Sequence, residues 1–102
     1  MRTNHRDPRA FEGLPGYELV REGLEDLARS DRLTIAGLVV AIGAPRLSRI
    51  GLEIPADLPD NPEHRLYQLL SADDTDAAHG RYNALIRRLV SFERAAEHAT
   101  TR

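Results

Sequence analysis

The chain contains no cysteine, so a disulfide framework, a thiolate metal site and a cysteine nucleophile are all excluded. It contains no lysine either. All 14 of its basic residues are arginine, a usage that fits codon bias in a GC-rich genome and says little about guanidinium chemistry. A charge excess is also missing: those 14 basic residues face 16 acidic ones, for a formal net charge of −2. This removes the broad positive field that drives non-specific nucleic-acid binding, while leaving room for a local patch. No apolar run approaches the roughly 20 residues needed to span a bilayer. The start of the chain, with Arg2, Arg6 and Arg9, has no apolar signal-peptide core. A cytoplasmic protein with no membrane partner is expected. Gly-x-Ser-x-Gly turns and phosphate-cradling glycine clusters are absent, so Ser30, Ser48, Ser71 and Ser91 have no setting for nucleophilic catalysis.

What is present is helical periodicity, in a length of 102 residues that suits one domain. Residues 1–16 are polar and broken by Pro8, Gly13, Pro15 and Gly16, with Phe11 and Leu14 as the apolar anchors, and read as a flexible arm. From Tyr17 the apolar residues Val20, Leu24, Leu27 and Ala28 recur at helical spacing, predicting a first helix to about Ser30. Thr34 is placed as the N-cap of a second helix through Ile35, Leu38, Val39 and Ile42, apolar almost all round and therefore the most buried element. Gly43 is expected to end it in a left-handed cap, and Pro45 to open a short helix closed by Gly51. Leu52 to Asn61 holds two prolines and three large aliphatics, which predicts an extended strap lying over the helices. Asn61 as cap and Pro62 in the first turn open the next helix, with Leu66, Tyr67, Leu69 and Leu70 on its apolar side. Tyr82, Leu85, Leu89, Phe92 and Ala96 then mark the longest helix, widened by Ile86 and Val90. Gly80 implies either a close backbone approach or a start near Arg81. The fold expected is an all-α bundle of four main helices and one short one over residues 17–98, followed by a disordered tail at 99–102.

Residue types offer three kinds of site. Asp76 and His79 share a helical face, but the third ligand that a metal centre needs is missing, and no metal or other cofactor is expected. Arg94 and His98, four apart on one face, are the pair a small ribonuclease could use, but two solvated cations near a helix end explain them as well, so catalysis is the less favoured reading. Residues 34–52 have the outline of a helix-turn-helix in which Arg46, Ser48 and Arg49 would face a nucleic-acid groove. Of the two apolar slots that such a second helix carries, Leu52 fills one and Arg49 spoils the other. A DNA- or RNA-binding regulator is the alternative reading.

Charge segregation carries the leading one. Projection of the first helix groups Glu18, Glu22, Glu25 and Asp26 opposite its apolar stripe. In the last helix Arg81, Arg87, Arg88 and Arg94 lie away from Leu89, whereas Glu93 falls inside the apolar stripe and, if buried, needs a partner such as Arg46, Arg49 or Arg65. These patterns predict a small protein-protein interaction module, an adaptor, regulator or accessory subunit, pairing with itself as a homodimer or with another protein. Ile86 and Val90 would supply the apolar contact, and Arg87 and Arg94 would reach Glu22 or Asp26 across it.

Overall fold

A computed structural model describes residues 7–31 and 33–100. A short 3-10 helix at Pro8–Phe11 precedes five α-helices: α1 (Tyr17–Ala28), α2 (Ile35–Ile42), α3 (Ala44–Ile50), α4 (Pro62–Asp73) and α5 (Ala78–Thr100). No strand occurs among the described residues. The all-α bundle with one short helix and a strap is therefore the architecture of the chain.

The order of burial follows from composition. α2 carries only aliphatic side chains and one glycine, so no face of it gains from water. It packs against α1, α3, α4 and α5, and Leu38, Val39 and Val40 are buried. Thr34 opens it as expected, with extended backbone and Oγ1 accepting the Gly37 N–H at 3.0 Å. The same hydroxyl donates to Asp26 Oδ2 at 2.6 Å, which ties the start of α2 to the end of α1. α1 stops at Ala28 rather than near Ser30, and Ser30 turns the chain with φ 66°.

The core begins before the periodic sequence does. Phe11, inside the segment expected to be a flexible arm, is 2% exposed and meets Phe92 edge-to-face with ring centroids 5.7 Å apart. A single aromatic among turn residues has no periodicity to announce it, yet burying it, with Leu14 packed on the core beside it, anchors this segment to the bundle. Residues 1–6 of that segment lie outside the described ones. At the far end α5 continues to Thr100, past the expected boundary at 98, and residues 101–102 of the expected tail are again outside the described residues.

Two caps differ from expectation for physical reasons. Gly43 is not left-handed; its φ is −88°. α5 passes close by it: a β-carbon there would lie 2.9 Å from both Glu93 Oε2 and Leu89 Cδ1, the ends of two side chains that would have to turn aside. Asn61 makes no side-chain cap and instead adopts φ 48°, a conformation asparagine tolerates better than most residues, while Asp60 O accepts Arg65 Nε at 2.7 Å. Gly51 does close α3, at φ 116°: its N–H reaches Ser48 O and the Leu52 N–H reaches Leu47 O, a Schellman arrangement that buries Leu47 and Leu52 together. The strap then crosses the bundle with Ile54 and Leu58 packed on the core.

Asp74 organises the turn into α5 by accepting the Asp76 and Ala77 N–H groups at 3.1 and 3.3 Å. α5 starts at Ala78, and Gly80 has neither of the reasons expected for it: it is helical, exposed, and a β-carbon would meet nothing within 4 Å. Gly80→Ala should accordingly raise stability by about 1 kcal/mol, the helix-propensity difference. The check is a thermal melt, in which an unchanged or lowered midpoint would show that the first turn of α5 is not helical in solution.

Candidate interaction surface

α5 presents three faces, each set by residue spacing. Ala78, Leu89, Phe92 and Ala96 point into the core and are buried. Ile86 and Val90 lie on the flank toward α3, half-buried, and border a groove of about 300 Å³ with Ile42, Pro45, Leu89 and Arg49. The groove exists because α2 and α3 are joined through Gly43 with hardly a break, and that absent side chain lets Leu89 and Glu93 approach the junction. Arg87, Arg88 and Arg94 occupy the third face, exposed and in no ion pair among the described residues. Arg81, expected with them, is held by Asp73 at 2.7 Å where α4 gives way to α5.

Glu93 is buried, at 4% exposure, and its partner is Arg46. The guanidinium donates Nη1 to Glu93 Oε1 at 3.2 Å and grips Glu97 in a two-point fork, Nε to Oε2 and Nη2 to Oε1, both at 2.7 Å. Burial pushes the Glu93 carboxyl above the usual glutamate value, against the pull of Arg46 and helped by repulsion from Glu97. Hydrogen bonding to Arg46 holds Glu97 below that value and raises the guanidinium's own proton affinity. The clamp fastens α3 to α5 along one side of the groove. The apolar position of Glu93 calls for a partner such as Arg46, Arg49 or Arg65, and the structure supplies Arg46; Glu97, one helical turn further on the same flank, joins it by the same spacing.

The interface residues expected on α1 do not stand together. Glu22 is exposed, as are Glu18 and Glu25, but Asp26 is 5% exposed. Its oxygens accept Thr34 Oγ1 at 2.6 Å and Arg29 Nη2 at 2.7 Å, so it serves the junction of α1 and α2 and has no oxygen turned to a partner. Helical projection groups Asp26 with the three glutamates, whereas the return of the chain at Thr34 draws it inward. For the helix-turn-helix residues, Ser48 and Arg49 are exposed on α3, whereas Arg46 is committed to the two glutamates. Among the described residues, no three histidines or acids gather as a metal site would require, and no helix is long and apolar enough to cross a membrane.

Compared with protein-family models, with curated proteins and with solved structures, the chain matches none of them.

Proposed function

We propose that the protein is a helical interaction module that associates with a second copy of itself through the α5 flank, serving as an adaptor, regulator or accessory subunit. One observation carries this reading: Ile86 and Val90 remain half-buried along an apolar groove, while Arg87 and Arg94, in no ion pair among the described residues, line the adjoining face. Fully burying one aliphatic side chain of this size contributes roughly 1.5–3 kcal/mol. Completing the burial of two such residues on each copy supplies several kcal/mol, enough for a weak dimer after the cost of association. The nucleic-acid alternative has less to work with, since Ser48 and Arg49 are the exposed polar residues left to α3.

The double variant Ile86→Glu/Val90→Glu is expected to be a folded monomer. Sedimentation together with circular dichroism decides the matter. A wild-type chain already monomeric near 100 µM removes the homodimer, and a variant that unfolds assigns these two residues to the monomer's own core.

A further inference from the structure

The outer face of α5 and the exposed face of α1 carry matching rows of opposite charge. Arg87, Ser91 and Arg94 are spaced four and then three residues apart, which sets them in a line whose ends are about 10.5 Å apart at the helical rise. All three are exposed. Glu18, Glu22 and Glu25 repeat the same four-then-three spacing on α1, and they too are exposed. Glu25 shares a surface pair with Arg21 at 3.0 Å, both side chains about half exposed at 52% and 44%. Such a pair contributes little and exchanges readily for a better cation. Asp26 is withdrawn from this row by its bonds to Thr34 and Arg29, which leaves the three glutamates as the whole of it.

We infer that in the self-associated protein the glutamate row of one copy docks on the arginine row of the other in parallel register, Glu18 to Arg87, Glu22 to the Ser91 hydroxyl and Glu25 to Arg94. Only the parallel direction superposes the two spacings; reversing one row offsets the central residue by one position. The inference rests on the self-association proposed above and names the polar contacts that give it register. In a two-fold dimer the contact occurs twice, so each copy supplies one row of each sign.

The test uses two charge-reversed full-length chains, Arg87→Glu/Arg94→Glu and Glu18→Arg/Glu25→Arg. In each, the end residues of both rows carry the same sign and repel their own kind, so its self-association should weaken by about tenfold or more. An equimolar mixture restores opposite signs at both contacts and should sediment as a heterodimer. If either variant self-associates as the wild type does, or the mixture stays monomeric, the row pairing is wrong while self-association stands. A wild type that is itself monomeric overturns both. Circular dichroism verifies that each chain is folded. Should a reversed chain unfold, the neutral pair Arg87→Gln/Arg94→Gln takes its place, and an unweakened dimer there overturns the pairing.

Discussion

Gly23→Ala is expected to destabilise the protein by about 3 kcal/mol, the upper part of the range for overpacking a well-filled core. Gly23 is buried in α1 where that helix crosses α2, and a β-carbon there would overlap the Ala36 carbonyl oxygen and Val40 Cγ2. The first of those atoms belongs to the backbone of the most buried helix, so relief requires moving α1 away from α2 rather than turning a side chain. Helix propensity argues the other way, favouring alanine by about 1 kcal/mol. The close approach wins because the overlap is too large for the neighbouring atoms to absorb by small shifts. The same substitution at Gly80, where nothing is near, keeps only the propensity gain. Opposite signs for the two variants in urea unfolding are the result to look for. A Gly23→Ala chain as stable as the wild type would mean that α1 and α2 do not cross this closely.

Arg46→Met has the next largest expected effect, and it depends on pH. The substitution keeps most of the aliphatic stem but leaves Glu93 buried without its cation. A buried acceptor in that position costs about 1–3 kcal/mol, the more so while it stays ionised. The signs follow from the two carboxylates. Burial holds the Glu93 value above the usual 4.5, so ionising it opposes folding, and its contribution is lost as pH rises through the raised value. Glu97, held below 4.5 by Arg46, contributes stability above that value, and this is lost as pH falls through the lowered one. In the wild type the two oppose each other. Without Arg46 the largest part of the Glu97 contribution is lost and the Glu93 value moves further up. The gap between wild type and variant should therefore be widest at pH 7, narrow as pH falls through the raised Glu93 value of the variant, and close only below 4.5, where Glu97 takes up its proton in the wild type. Unfolding curves at several pH values measure this, and a gap that stays constant across them would show that the clamp is not what Arg46 contributes.

Residues whose signal is local could be read directly. Thr34 caps α2 through its own hydroxyl and the amide three residues on, Pro62 stands in the first turn of α4, and Gly51 closes α3 through bonds that never leave the turn. The apolar stripes of α1 and α5 and the all-round apolarity of α2 are properties of spacing and composition, so the bundle and its most buried helix were legible without coordinates. The carboxylate at Glu93 was legible in part, because a charge inside an apolar stripe demands a partner and few arginines were placed to provide one.

Where residues from distant segments meet, the sequence alone was silent. Gly23 and Gly43 look like weak helix residues or caps until a second helix is found lying on each. Phe11 reads as a stray aromatic until Phe92 stands beside it, and Asp26 reads as one more surface acid until Thr34 folds back onto it. Sequence by itself determined which segments are helical and which faces are apolar, because backbone hydrogen bonds and side-chain periodicity are settled within a few residues. Tertiary structure alone decided where a second helix comes close to a glycine, which acids are turned inward and which arginines stay exposed. Those outcomes depend on excluded volume and desolvation between elements that lie far apart along the chain.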